Sequence, residues 1–156
     1  MASPKARADT RFVILTGLSG SGKSQAIHAL EDQGYYCVDN LPITLIPTLT
    51  DLMAQAGGVR AKAGVVVDVR EGKFLSKFPK IFKKLKSDPS IGARLIFLEA
   101  DDDTLLRRFS ETRRPHPLAP GRSPREGIQE ERQQLGAIRA LADEIIDSSD
   151  MTVHEL

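Results

Sequence analysis

The 156-residue sequence contains one cysteine, Cys37, and only three histidines. One cysteine excludes an internal disulfide framework and a cysteine-based zinc site, and the histidines do not cluster along the chain. No apolar run approaches the roughly 18 residues of a membrane span, and the polar first ten residues lack the apolar centre of a signal peptide. Because 22 basic residues nearly balance 21 acidic ones, the net charge of +1 does not indicate a bulk polyanion binder. These absences favour a cytoplasmic protein with no membrane partner.

Short apolar runs alternate along the chain with longer segments whose apolar residues recur at helical spacing. This alternation predicts an α/β fold in which a five-stranded, mostly parallel sheet carries helices on both faces. Ligands of such sheets bind beyond the carboxyl ends of the strands. Strands are predicted at 11–16, 35–39, 63–68, 94–99 and 144–146, and helices at 23–33, 43–56, 78–85, 101–112 and 123–141.

The segment between the first predicted strand and the first predicted helix matches the pattern G-x-x-x-x-G-K-[ST]. Its glycines let the backbone aim several N–H groups at one phosphate, and the helix adds its positive N-terminal end. Lys23 would reach the β- and γ-phosphates, and the Ser24 hydroxyl would ligate Mg²⁺. The residues predicted to form this phosphate site are Gly17, Leu18, Ser19, Gly20, Ser21, Gly22, Lys23 and Ser24.

A second anchor for Mg²⁺ is expected among the acids that end neighbouring strands. Asp68 ends the third predicted strand and is the first choice, both as a metal ligand and as a catalytic residue. Asp39 ends the second strand and is the alternative metal ligand, with a place on the substrate side as its other interpretation. Glu99 ends the fourth strand and is interpreted as an ordinary acid facing water.

An arginine-rich segment follows the fourth predicted strand and leads into a proline-rich loop of about ten residues, a length that is often functional. Arginine suits phosphate because its fork is always charged and can bind two oxygens at once. We interpret the segment as a lid over the triphosphate, with Arg107 binding the nucleotide and Arg113 and Arg114 assisting catalysis. The alternative is a solvated helix face, in which Asp103 pairs with Arg107 and Glu111 with Arg114.

Several longer strings resemble the RapZ/YvcJ family of bacterial P-loop proteins over residues 12–156. The most specific are Gly-Tyr-Tyr-Cys-Val-Asp-Asn-Leu-Pro at 34–42 and Thr-Arg-Arg-Pro-His-Pro-Leu at 112–118; the phosphate loop, Asp-Val-Arg at 68–70 and the string at 151–156 also match. The resemblance implies a kinase-like P-loop fold that binds and slowly hydrolyses ATP and GTP.

The resemblance also implies a second stretch in contact with nucleotide. The family's GTP-associated Asp-Val-Arg-Asn corresponds to Asp68, Val69, Arg70 and Glu71, where Glu71 replaces the usual asparagine. One branch of the family contains RNase adapter proteins, which bind RNA and an amino-sugar phosphate through a C-terminal domain. That domain does not correspond to any part of residues 1–156, so these partners are not carried over to this chain.

The predicted organisation is a disordered tail at 1–10, a nucleotide-binding domain at 11–150, and at 151–156 the start of a helix leading to a C-terminal domain. The expected function is weak ATPase and GTPase activity in a regulatory domain. A small-molecule kinase and a phosphate-binding module without turnover are the alternatives, and a homo-oligomer is left open. A switch GTPase is disfavoured because the sequence has no Asn-Lys-x-Asp motif for reading the base.

Overall fold

Five strands form one parallel sheet in the computed structural model, which describes residues 12–39, 41–56, 62–67, 75–89, 91–112 and 123–150. The order across the sheet is β2-β3-β1-β4-β5, and every pairing is parallel. This confirms the predicted architecture. The strands are β1 (Phe12–Gly17), β2 (Tyr36–Val38), β3 (Ala63–Val66), β4 (Ala93–Glu99) and β5 (Glu144–Asp147).

Within the described residues, five α-helices connect or flank these strands, and their bounds lie within a few residues of the predicted ones. The largest departure is at 43–56, where a 3₁₀ turn at Ile43–Leu45 precedes the α-helix. Pro47 accounts for this, because it lacks an N–H donor and is tolerated only in the first turn. The helices are α1 (Lys23–Asp32), α2 (Ile46–Ala56), α3 (Phe78–Lys86), α4 (Asp102–Thr112) and α5 (Pro124–Leu141).

Side chains that alternate along β1 bury both faces of the sheet. Phe12 and Ile14 point to one face, where they join the apolar residues of α2, α3, α4 and α5 in the larger core. Leu15 points to the other face, where Ala26 and Ile27 of α1 pack. The helices therefore cover both faces, as the alternation of strand and helix predicted. Across the described helices, no stretch is long and apolar enough to cross a membrane.

The order of the strands places the carboxyl end of β1 at the point where the chain changes direction across the sheet. After β1 the chain passes to the edge at β2, returns to β3 beside β1, and then continues to β4 on the opposite side of β1. Backbone bonds from Val67 to Leu15 (3.0 Å) and from Leu18 to Leu98 (3.0 Å) carry this pairing to the strand ends. Such a switch point is where open α/β sheets bind ligands.

Candidate phosphate-binding site

The loop begins at Gly17, where the backbone of β1 comes very close to β4. The φ angle of Gly17 is 147°, and a Cβ atom there would lie 2.1 Å from the carbonyl oxygen of Leu98. Every residue other than glycine carries that atom, so the close approach of the two strands requires glycine here. The chain leaves the strand in the conformation that this glycine permits.

Two residues of the predicted phosphate site point inward and shape the turn. Leu18 is buried in the larger core and Ser21 is also fully buried. The Ser21 hydroxyl donates to the Leu18 carbonyl at 2.5 Å, and the Ser21 N–H donates to the same oxygen at 3.1 Å. Gly20, with φ of 83°, lies between this turn and Leu105 of α4. These side chains set the path of the loop and do not face a ligand.

The start of α1 offers the charged and polar groups that the sequence predicted. Gly22 caps the helix in the left-handed region at φ 109° and has no side chain to occupy the first N–H donors. The Lys23 ammonium donates to the Gly17 carbonyl at 2.8 Å, so the positive charge spans the loop from its end to its beginning. Ser24 is exposed. Uncapped N–H donors, the helix dipole and an ammonium group together favour an anion at this point.

Arg108 and Ser148 hold the outer side of the loop. The Arg108 guanidinium donates to the Gly20 carbonyl at 2.9 Å and to the Ser148 carbonyl at 2.8 Å. The Ser148 hydroxyl in turn donates to the Ser21 carbonyl at 2.6 Å. The Ser21 carbonyl and the Gly22 N–H belong to the same trans peptide group and point in opposite directions. The bond to the Ser21 carbonyl therefore turns the Gly22 N–H away from Ser148. The contacts thus orient a backbone donor of the loop.

Two carboxylates stabilise the elements next to this contact. Asp101 accepts a bond from the Thr104 N–H at 2.8 Å, and hydrogen bonds from the Thr104 side chain and backbone hold the Asp101 pKa below its ordinary value. Asp147 accepts bonds from the Ser149 hydroxyl and N–H, which lower its pKa in the same way. Both carboxylates therefore stay ionised at neutral pH, at the start of α4 and at the end of β5.

Glu131 of α5 contacts the loop at Ser19. Its Oε1 accepts from the Ser19 N–H at 2.8 Å and its Oε2 accepts from the Ser19 hydroxyl at 2.7 Å. Glu131 is fully buried, although it is separated from Ser19 by 112 residues. Glu131 is not among the residues predicted from the sequence. A signal was available, because Glu131 interrupts the apolar stripe of Ile128, Leu135 and Ile138 on α5.

The arginines and acids predicted from the sequence differ in how close they lie to the phosphate loop. Arg107 is exposed on α4, and its neighbour Arg108, which the sequence analysis did not select, contacts the loop. Asp39 is exposed after β2, which lies two strands and therefore roughly 10 Å from β1. Glu99 forms two bonds with Arg139, at 2.7 and 3.1 Å, which is a structural ion pair. The interpretation of Glu99 as an acid facing water is corrected by this pairing, since only 18% of its side chain is exposed; its lack of a functional role stays a prediction.

The remaining predicted residues lie outside the described part of the chain. They are Asp68, Val69, Arg70, Glu71, Arg113 and Arg114, together with the segments 1–10 and 151–156. Within the described ranges, no three His, Cys, Asp or Glu side chains form a group that could hold a metal ion. Of the three predicted Mg²⁺ ligands, Ser24 is described at the first turn of α1 and Asp39 after β2.

Two solved kinase structures share this fold. The chain is similar to shikimate kinase from Bacteroides thetaiotaomicron, with a TM-score of 0.60 and 14% identity over 90% of this chain and 88% of that one. It is also similar to a gluconokinase from Sinorhizobium meliloti 1021, with a TM-score of 0.56 and 18% identity over 94% of this chain and 87% of that one. At such low identity the likeness concerns the fold alone, and it confirms the predicted kinase-like P-loop architecture.

Relatives in sequence point to one family. The chain is 57% identical over 145 residues to a nucleotide-binding protein of Solibacter usitatus, covering 93% of this chain and 44% of that protein. It is 53% identical over 146 residues to a nucleotide-binding protein of Myxococcus xanthus, covering 94% and 50%. The chain thus spans about half the length of the curated relatives it matches. The model of the RapZ-like N-terminal domain matches residues 10–156, and the chain therefore belongs to the RapZ-like family through that domain.

Proposed function

We propose that this chain binds a nucleoside triphosphate at residues 17–24 and hydrolyses it slowly, with ATP and GTP as the candidate nucleotides. The observation that carries the proposal is the bond between the Lys23 ammonium and the Gly17 carbonyl, 2.8 Å long. It brings the one cation of the motif to the beginning of a glycine loop whose helix start is not capped by a side chain. A chain of phosphates is the anion that suits such a loop.

The donor chemistry at the start of α1 fits Mg²⁺ as the partner of the phosphates. Ser24 offers an exposed hydroxyl oxygen directly after Lys23, and Mg²⁺ prefers oxygen ligands and keeps several waters. Ser24 would hold the ion together with a carboxylate, for which Asp68 is the first candidate and Asp39 the second. When bound, the ion would neutralise charge on the phosphate oxygens.

Turnover of the bound nucleotide is the expected consequence of such a site. Phosphoryl transfer depends mainly on positioning and on neutralisation of charge, which Lys23, the metal and the arginines 113 and 114 would supply. The proposed role of these two arginines is to act on the transition state. Replacement of both by alanine should therefore lower the rate of phosphate release more than it weakens nucleotide binding. An equal loss of rate and affinity would contradict this role.

A small-molecule kinase is the second candidate, and the exposed position of Asp39 after the edge strand β2 favours it. A carboxylate there is open to a small molecule that would accept the phosphoryl group and that approaches from the side of the sheet away from β4. A turnover assay separates the two functions. ATP and GTP are each incubated with the protein and Mg²⁺. Inorganic phosphate and the nucleoside diphosphate, ADP or GDP, are then both measured, with and without sugar and carboxylic-acid acceptors.

The proposed hydrolase releases phosphate and diphosphate in equal amounts, at a rate that no acceptor changes. A kinase produces diphosphate in excess of phosphate when its acceptor is present. Absence of both products, with nucleotide binding intact, would indicate a binding module without turnover. Binding of RNA or of an amino-sugar phosphate is proposed only for a family member that carries the adapter branch's C-terminal domain, and it would be tested on such a protein.

A further inference from the structure

Glu131 is a buried charge in a place that packing alone would fill with an apolar side chain. It lies on the stripe of α5 formed by Ile128, Leu135 and Ile138, all of which are in the larger core. Charged side chains are almost never fully buried unless they are paired or fully hydrogen-bonded. Both Glu131 oxygens meet this condition at one residue of the phosphate loop, Ser19. The polar contacts of the Glu131 carboxylate are therefore with the phosphate loop, although the side chain is buried beside the core.

The carboxylate reaches the same end of the loop as the Lys23 ammonium. Lys23 bonds to the Gly17 carbonyl, and Glu131 bonds to the N–H and hydroxyl of Ser19, two residues further along. Lysine in this motif reaches the β- and γ-phosphates. The terminal phosphate of a bound triphosphate would thus approach a part of the loop that contacts both the Lys23 ammonium and the Glu131 carboxylate, and where the Ser19 donors are already in use.

We propose that Glu131 is a specificity-determining residue that lowers the affinity of the loop for a terminal phosphate relative to a diphosphate. This inference rests on the proposed nucleotide binding. A triphosphate brings additional negative charge to this end of the loop, and like charges in a partly buried site repel strongly. The carboxylate also keeps two donors that a phosphate oxygen would otherwise accept from. Discrimination between triphosphate and diphosphate follows from a residue outside the motif.

The test replaces Glu131 by glutamine, which has the same shape, accepts a bond from Ser19 and carries no charge. Calorimetric titration with ATP, ADP, GTP and GDP, each with Mg²⁺, gives the ratio of the diphosphate Kd to the triphosphate Kd. In Glu131→Gln this ratio should rise about tenfold, because triphosphate binding tightens while diphosphate binding changes little. Glu130→Gln is the matched control, since Glu130 is the half-exposed neighbour on the same helix and should leave the ratio unchanged.

A purely structural role of Glu131 gives a different result. Both Kd values would then rise by the same factor in Glu131→Gln, and this outcome, or an unchanged ratio, overturns the inference. If Glu131→Gln fails to fold by thermal denaturation, Glu131→Met serves instead, because it removes the charge, frees both Ser19 donors and suits the apolar stripe of α5. It should raise the ratio in the same direction, and no rise contradicts the inference.

The inference and the proposed function fail in distinguishable ways. Binding to the wild type with the same ratio in every variant overturns only the role of Glu131. Absence of binding to the wild type contradicts the proposed function, and the role of Glu131 then stands only if Glu131→Gln binds triphosphate. Absence of binding to both proteins overturns both.

Discussion

At Gly17 the fold leaves space for a hydrogen atom and no more. The strands on either side are in regular parallel register, and the first residue of the loop lies against the Leu98 carbonyl. Gly136, in the middle of α5, is the opposite case, because a Cβ atom there would meet nothing within 4 Å. At Gly17 the close approach of the β4 backbone requires glycine, whereas no contact at Gly136 requires glycine.

Substitution of these glycines should therefore change stability in opposite directions. Gly17→Ala should lower the free energy of unfolding by about 3 kcal/mol or more, since either the strands separate or the backbone distorts. Gly136→Ala should raise it by about 0.5–1 kcal/mol, through higher helix propensity alone. Urea denaturation of both variants measures these changes. Equal stability of wild type and Gly17→Ala would show that β1 and β4 are further apart than described.

Helices α4 and α5 and strand β5 act together to hold the phosphate loop from outside. Arg108 of α4 and Ser148 after β5 bind loop carbonyls, and Glu131 of α5 binds the Ser19 donors. The contiguous motif at 17–24 was predictable because its pattern is local. These supports were not, since their contacts connect residues 88 to 127 positions apart and depend on how helices pack against the completed sheet. The neighbouring Arg107 and Arg108 could not be told apart by residue type alone.

Because Arg108 donates hydrogen bonds to two separate carbonyls, even a conservative substitution of this residue should destabilise the protein. In Arg108→Lys a single ammonium replaces a fork that bonds to Gly20 and Ser148 together. We expect a loss of about 1–2 kcal/mol in the free energy of unfolding and a higher nucleotide Kd. The matched control is Arg125→Lys, at an exposed position of α5. If both variants behave alike in denaturation and titration, the loop does not depend on Arg108.

The start of α4 should respond to acid. Because the pKa of Asp101 is lowered in the folded state, its contribution to stability is present above its unfolded pKa of about 3.9 and is lost as the pH falls through the folded pKa. Asp101→Asn retains a helix cap but cannot titrate. Thermal denaturation from pH 6 to pH 2 should show a smaller fall in Tm for this variant than for the wild type, with part of the fall remaining because Asp147 shifts in the same direction. Parallel curves would contradict the role of Asp101.

At the scale of the whole molecule, the strand order makes β1 the central strand and puts its loop at the switch point of the sheet. Alternation of strand and helix predicted the parallel sheet, but not which strands are neighbours. That order determines that β3 lies beside β1 and that Asp39 is two strands away. The choice between Asp68 and Asp39 as the metal ligand therefore depended on topology, which no local pattern contains. The order favours Asp68 for the metal and the substrate side for Asp39, and both assignments stay predictions.

The most direct test of the central claim is the affinity of this protein for nucleotides, measured by isothermal titration with and without Mg²⁺. The wild type should bind ATP or GTP, Mg²⁺ should tighten the binding, and Lys23→Ala should weaken it by at least tenfold. Lys80→Ala, at an exposed position of α3, should bind like the wild type. Equal affinity of Lys23→Ala and the wild type would contradict the assignment of residues 17–24 as the phosphate site.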